Sequence, residues 1–220
     1  MSLRLSQLRT MIQWMYLPEN RQVSKLRADI LEEFQADDNG SGGGGDFHIP
    51  FWSDAKAHVV GRQDLHDAVQ IRIAANYRRG RLYPALRDGF LVWFNQRRRW
   101  TNAPFRLIET PRGRLAIDGD CTVKIDNFLA VSDAGGQEHF VYPYFCEAPE
   151  LSEQAARLCL WAIGSAFPRL PMGEVRVLDV IRGMTYSIDR NPLQGDEEQE
   201  FHRRLASLRA IRSRLRRGYS

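Results

Sequence analysis

The side chains that could bind phosphate or a metal ion are sorted along the chain by charge. The segment 62–114 holds twelve arginines and four acids, a net charge of +8. The segment 117–154 holds eight acids and one lysine, a net of −7, and 203–217 holds seven arginines and no acid. This order fits a metal-dependent enzyme acting on a polyanion, because carboxylates hold the cation and arginines the phosphates. A surface patchwork with internal salt bridges would give the same distribution.

Arginine is by far the commoner of the two basic residue types. Of the 31 basic residues 28 are arginine, and the three lysines are Lys25, Lys56 and Lys124. Genome composition accounts for part of this bias. The planar guanidinium group nevertheless forms bidentate hydrogen bonds to phosphate and stacks on bases, and a lysine ammonium does neither.

Two basic stretches are candidates for nucleic-acid binding. The stretch "NQRRRW" combines cations with an aromatic ring, which suits single strands; its residues are Arg97, Arg98, Arg99 and Trp100. A basic helix C-terminus is the alternative interpretation of that stretch. On the last predicted helix, Arg212 and Arg216 are candidates for contact with a duplex backbone or with an acidic partner subunit.

Composition excludes several classes of protein. A hydrophobic content of 43% supports a packed core. No apolar run of about 18 residues occurs, so we expect no membrane partner. The first residues lack the pattern of a signal peptide, which makes a cytoplasmic protein the default expectation. Three cysteines without paired spacing favour neither a disulfide framework nor a zinc site.

The hydrophobic periodicity predicts an α/β protein. Helices are expected at 2–16, 21–34, 63–76, 83–99, 151–166 and 196–216, and strands at 115–117, 122–131 and 139–147, followed by a strand, a turn and a return strand within 173–188. Pro143 in the third strand indicates an edge position or an irregularity. We expect an N-terminal helical hairpin (1–38), a glycine-rich loop (39–46) and an α/β domain (47–220).

The order of these elements resembles the αβββαβ core of the PD-(D/E)XK superfamily, the restriction-endonuclease-like fold, and in particular its RecB-like branch. The resemblance covers residues 61–216 and implies a mixed central sheet flanked by helices. It places a metal-binding aspartate on the second core strand, where "VKIDNF" supplies Asp126. The acid of the third strand would be Glu147 in "YFCE", and the glutamine that opens the next helix would be Gln154.

The resemblance implies a site with Mg²⁺ or Mn²⁺, because hard divalent cations take oxygen ligands. Asp126 and Glu147 would hold the ion, which would activate water against a phosphodiester bond, and Gln154 would assist. The family pattern also calls for a lysine two residues after the second acid, and this chain has none there. Lys124, two residues before Asp126 on the same strand face, is the candidate replacement.

Two functions follow from this resemblance. The first is a metal-dependent nuclease in bacterial DNA processing or phage defence. The second is a catalytically inactive pseudo-nuclease that binds DNA or RNA or acts as a scaffolding subunit, with the N-terminal helices docking a protein partner. An unrelated α/β domain with the same strand order is a third interpretation.

Overall fold

The computed structural model describes residues 3–39 and 47–217. Within these ranges the α-helices are α1 (Leu8–Tyr16), α2 (Glu19–Asn39), α3 (Ile49–Val59), α4 (Leu65–Ala75), α5 (Leu82–Val92), α6 (Glu153–Ala166) and α7 (Glu197–Arg216). The strands are β1 (Leu5–Gln7), β2 (Arg106–Leu107), β3 (Gly113–Asp118), β4 (Cys121–Ile125), β5 (Leu129–Ser132), β6 (Glu138–Tyr144), β7 (Val175–Asp179) and β8 (Met184–Tyr186). The expected α/β class is confirmed. The expected glycine-rich loop lies, apart from its first residue, outside the described residues.

The strands form two mixed sheets instead of the single sheet that we expected. The larger sheet has the order β2-β5-β6-β7-β8, and the smaller has the order β1-β4-β3. In the larger sheet β5 and β6 are antiparallel, β6 and β7 are parallel, and β7 and β8 are antiparallel. Helix α6 is the crossover that joins the two parallel strands, as the periodicity predicts.

The predicted strand 122–131 is divided at its centre. Asn127 has φ of 66°, a left-handed conformation that asparagine tolerates better than most residues. The chain turns there, so β4 pairs in the smaller sheet and β5 pairs in the larger one. The prediction of one continuous strand is therefore wrong. Asp126 lies in the corner between the two strands.

Pro143 lies in a central strand, so the edge interpretation is wrong, and the pairing of β6 with β7 continues through it in regular register. The last residue pair between β5 and β6 is Leu129↔Val141. Pro143 comes two residues later, where β5 has already turned away at Asn127. A missing backbone donor is tolerated at that point because no neighbouring strand continues on the β5 side.

The N-terminal segment belongs to the main body and does not form a separate hairpin. Strand β1 pairs in parallel with β4, over Leu5↔Thr122 to Gln7↔Lys124. Helix α1 buries Leu8, Met11 and Ile12 in the same hydrophobic core as α6 and α7. The expectation of a distinct appendage before the glycine-rich stretch is revised accordingly.

Two hydrophobic cores lie on opposite faces of the larger sheet. Tyr142 and Tyr144 of β6 pack into the core formed with α1, α6 and α7. Val141 and, just after the strand, Phe145 pack into the second core, which α3, α4 and α5 cover. This alternation follows from the two-residue period of a strand and gives a helix–sheet–helix sandwich. No helix among the described residues is long and apolar enough to cross a membrane.

Candidate anion-binding cavity and arginine cluster

Asp126 is held by amide side chains in the corner between β4 and β5. The Asn127 amide donates to Asp126 Oδ1 at 2.8 Å, and the Gln7 amide lies 3.4 Å from Oδ2. The indole N–H of Trp52 donates to the backbone carbonyl of Asn127 at 2.5 Å. The corner is therefore fixed from one side by β1 and from the other by α3.

A cavity of about 200 Å³ lies next to this corner. Its lining combines two cations, two aromatic rings and three smaller groups: Arg9, Ile49, Trp52, Ser53, Lys56, Asn127 and Phe145. The rings of Trp52 and Phe145 are 5.5 Å apart, edge to face. The guanidinium of Arg9 lies 5.8 Å from the centre of the Phe145 ring. An aromatic wall beside cations suits a ligand that carries both a flat group and a negative charge.

The electrostatics of the cavity favour an anion. Burial and, to a smaller extent, the charge of Arg112 lower the pKa of Lys56 to about 8, and the charge of Asp126 opposes the shift. Arg9 is only 5% exposed, so its charge acts with little screening by water. The described lining of the cavity thus includes two cations, Arg9 and Lys56, and Arg112 acts on Lys56.

Strand β6 presents the phenol of Tyr142 to the first turn of helix α1. Tyr142 is fully buried, and its hydroxyl accepts a hydrogen bond from the backbone N–H of Arg9 at 3.1 Å. Burial raises the pKa of Tyr142 well above its usual value, with the nearby charge of Asp126 contributing. The ring is neutral at physiological pH and holds strand β6 against the first turn of α1.

Glu147 has different neighbours from Asp126. Its carboxylate forms a bidentate ion pair with Arg81, at 2.6 and 2.7 Å. Its backbone carbonyl accepts a hydrogen bond from Arg182 at 2.7 Å. None of these residues contacts Asp126. Among the described residues, no group of three or more His, Cys, Asp or Glu side chains is placed to hold a metal ion. One carboxylate among amides and cations does not fit Mg²⁺ or Mn²⁺.

The other two candidate catalytic residues also lie outside a metal centre. Gln154 accepts from Arg204 of α7 at 3.0 Å and lies 3.5 Å from Glu200, so it joins α6 to α7. Lys124 lies in the middle strand of the smaller sheet, in register with Gln7 on one side and Arg114 on the other. Neither residue is in the lining of the cavity.

A second positively charged site lies at the β8 end of the larger sheet. Arg97, Arg99, Arg176 and Arg190, here called the arginine cluster, surround a shallow depression with Ser187 at its base. Arg97 donates to the carbonyls of Arg182 and Gly183, and Arg99 pairs with Asp189 at 3.2 Å. The pKa of Asp189, the partner of Arg99, is lowered chiefly by the hydrogen bond from Ser187.

A close approach between α5 and the turn before β8 positions this cluster. Gly89 faces the backbone of Val180 and Ile181, where an added Cβ would lie only 2.1 to 2.2 Å from the carbonyl oxygens. Gly183 has φ of +58° and packs against the Gly89 carbonyl from the other side. Only glycine allows this contact, which brings the end of helix α5, and with it Arg97, onto the turn.

Two residues of the "NQRRRW" stretch are structural. Trp100 is 9% exposed and stacks on His139, with ring centres 4.6 Å apart. The guanidinium of Arg98 lies 3.9 Å from the Phe94 ring and 4.8 Å from the Phe105 ring. Trp100 therefore packs in the core, and the prediction that it stacks on a base is revised. Arg97 and Arg99 lie at the surface.

The C-terminal arginines bind acids of the same chain. Arg212 contacts Asp29 and Glu33 of α2, at 3.5 and 2.5 Å, and its side chain is largely buried. Arg216 also pairs with Glu33, at 3.3 Å. Arg212 is thus engaged by helix α2 of the same chain, so its predicted contact with a duplex backbone is revised. Contact of these arginines with an acidic partner subunit stays a prediction.

Sequence reasoning missed the residues that line the cavity. Arg9 falls in a segment interpreted as part of a hairpin, and α3, which carries Trp52 and Lys56, was not predicted. One signal was available: Lys56 is one of only three lysines in an arginine-rich chain. No protein-family model, curated protein or solved structure matches this chain.

Proposed function

We propose that the protein binds nucleic acid through its phosphates and does not cleave it, which is the pseudo-nuclease interpretation of its αβββαβ order. The observation that carries this proposal is the charge of the cavity lining, whose described side chains include two cations, Arg9 and Lys56, and no acid. Arg112 also acts on Lys56, with Asp126 opposing it, whereas Glu147 is bound to Arg81. Such a site attracts an anion and does not concentrate a divalent cation.

The walls of the cavity support a nucleotide as the anion. Trp52 and Phe145 offer ring faces or edges to a base or sugar, and base–aromatic contacts are tolerant of sequence. Arg9 and Lys56 offer donors to one phosphate. The arginine cluster provides further cations for neighbouring phosphates of the same strand.

The test is equilibrium binding of fluorescently labelled oligonucleotides, measured by anisotropy, together with a cleavage assay in Mg²⁺ and in Mn²⁺. Single-stranded DNA, duplex DNA and RNA are compared. Lys56→Gln removes a cation of the cavity, and Lys25→Gln, on the exposed face of α2, is the matched control. Thermal unfolding of each variant verifies the fold.

We expect binding that weakens about fivefold or more in Lys56→Gln, stays unchanged in Lys25→Gln and is accompanied by no cleavage. Metal-dependent cleavage that Asp126→Ala abolishes would overturn the proposal in favour of a nuclease with a rearranged site. Equal binding by both lysine variants would show that the cavity is not the binding site.

A further inference from the structure

One face of helix α3 lines the cavity. Ile49, Trp52, Ser53 and Lys56 recur at the spacing i, i+3, i+4 and i+7, which places them along a single stripe of the helix. Such a stripe is usually wholly apolar, because it packs into a core. Here its C-terminal member is an amine that faces a cavity, with Trp52 one turn before it.

The ammonium group of Lys56 is destabilised by its surroundings. It is half-buried, the charge of Arg112 acts on it, and Arg9 lines the same cavity from α1, while the charge of Asp126 partly offsets these effects. With a pKa of about 8, a substantial fraction of the amine is neutral near pH 7.5, whereas an exposed lysine is almost wholly protonated. A neutral amine in a partly dry pocket is a nucleophile.

We propose that Lys56 captures aldehydes that carry a phosphate group, by forming an imine with them inside the cavity. Arg9 holds the phosphate, and the Trp52 and Phe145 rings enclose the carbon skeleton. The chemical class is a sugar-phosphate aldehyde, such as a nucleic-acid strand exposes where a base has been lost. This inference rests on the proposed function for its phosphate-bearing ligand.

The reaction is a condensation and needs no oxidant or reductant. The Lys56 nitrogen attacks the aldehyde carbon, and the proton that leaves nitrogen is taken up on the carbonyl oxygen to give a carbinolamine. Loss of that oxygen as water forms the carbon–nitrogen double bond. Asp126, the carboxylate near this amine, accepts and returns the proton.

The first experiment uses pyridoxal 5′-phosphate, an aldehyde that bears a phosphate, followed by borohydride reduction and peptide mass spectrometry. The chain has only three lysines, so Lys25 and Lys124 serve as internal controls. We expect Lys56 to be labelled at least about tenfold faster than Lys25, and most of this preference to disappear with pyridoxal, which lacks the phosphate. Labelling that is equal at the three lysines would overturn the proposal.

A second experiment uses a labelled oligonucleotide with one base-free deoxyribose, incubated with the protein and cyanoborohydride. We expect a covalent adduct on a denaturing gel with the unmodified protein and none with Lys56→Arg. That variant keeps the positive charge but lacks the amine that forms the imine. An undiminished adduct in Lys56→Arg contradicts the inference.

The two experiments separate this inference from the proposed function. In one outcome, the intact oligonucleotide does not bind while pyridoxal phosphate still labels Lys56 selectively. That result overturns the proposed nucleic-acid binding and supports capture of small phosphorylated aldehydes. If the oligonucleotide binds through the cavity and neither aldehyde reacts at Lys56, imine formation is overturned and the proposed nucleic-acid binding is retained.

Discussion

The backbone N–H of Arg9 donates a hydrogen bond to the hydroxyl of Tyr142, at 3.1 Å, and both groups are buried. Arg9 is the second residue of α1, where backbone donors have no partner within the helix. Tyr142 therefore caps the helix that carries one cation of the cavity. The same contact fixes the distance between that helix and the central strand.

Tyr142→Phe should lower the free energy of unfolding by about 1–2 kcal/mol, because it leaves the Arg9 donor buried without an acceptor. Urea unfolding followed by tryptophan fluorescence measures the change. Tyr77→Phe is the matched control, since Tyr77 is 82% exposed and should tolerate the loss. Equal stability of both variants would show that the hydroxyl contributes no net stabilisation.

Asp126→Asn should increase the affinity for single-stranded DNA by about threefold to tenfold at low salt. The substitution removes a negative charge that acts on Lys56 and keeps the side-chain volume. Anisotropy titrations at two salt concentrations measure the effect, which should shrink as salt rises. A decrease in affinity would instead assign Asp126 a favourable role in binding.

Removal of two members of the arginine cluster should weaken binding and its dependence on salt. In Arg99→Gln combined with Arg190→Gln we expect a plot of log affinity against log salt that is shallower by about one unit for each lost phosphate contact. Arg209→Gln is the control, because Arg209 lies on α7, outside the arginine cluster, and pairs there with Asp118 of β3. An unchanged slope in the double variant would show that the arginine cluster does not contact the nucleic acid.

Arg182→Ala should destabilise the protein by about 2–4 kcal/mol, because it leaves a carboxylate that is 1% exposed without its cation. Arg182 contacts Asp179 at 3.1 Å and also donates to the carbonyls of Cys146 and Glu147, so it holds the turn after β6. Chemical denaturation provides the measurement.

The control for that variant is Arg81→Ala. The side chains of Arg81 and Glu147 are 77% and 43% exposed, and exposed ion pairs contribute little. The unfolding midpoint of Arg81→Ala should match that of the unmodified protein. If both arginine variants lose the same stability, burial of Asp179 does not explain the effect.

Asp29 should make the protein less stable as the pH rises from about 4 to about 6. Burial raises the pKa of Asp29 to about 6, although the charge of Arg212 opposes the shift. The folded protein therefore binds this proton more tightly than the unfolded chain. Its contribution to stability is present below the unfolded pKa and is lost as the pH passes the folded one.

Urea unfolding at several pH values measures this dependence. In Asp29→Asn the decline between pH 4 and pH 6 should be smaller by about 1–3 kcal/mol than in the unmodified protein. Asp88→Asn, at an exposed carboxylate of α5, should retain the full decline. If stability declines equally in Asp29→Asn, other acidic residues cause the decline.

Some local elements of this fold, among them α4 and α6, are predictable because each depends on a short stretch of chain. Helix α6 follows from its apolar period and its cap, in which the Ser152 hydroxyl accepts from the Ala155 N–H. Helix α4 begins at Asp64 for the same reason. The parallel pair β6–β7 follows from the crossover between the strands.

The cavity is not predictable in this way because its lining comes from four distant segments. Arg9, Lys56, Asn127 and Phe145 meet only when α1, α3, the corner after β4 and the end of β6 are packed. The division of the predicted second strand at Asn127 also has no local signal stronger than one asparagine. Charge patterns indicated the excess of arginine but not that Arg212 is bonded to α2.

The pairing of β1 with β4 has a consequence for synthesis. Helix α1 exposes Leu8, Met11 and Ile12 until α6 and α7, which cover them, have left the ribosome. At about 5 to 20 residues per second, that interval is about 10 to 40 seconds. During it these apolar side chains of α1 lack their native cover, so α1 reaches its final packing only after α7 has been synthesised.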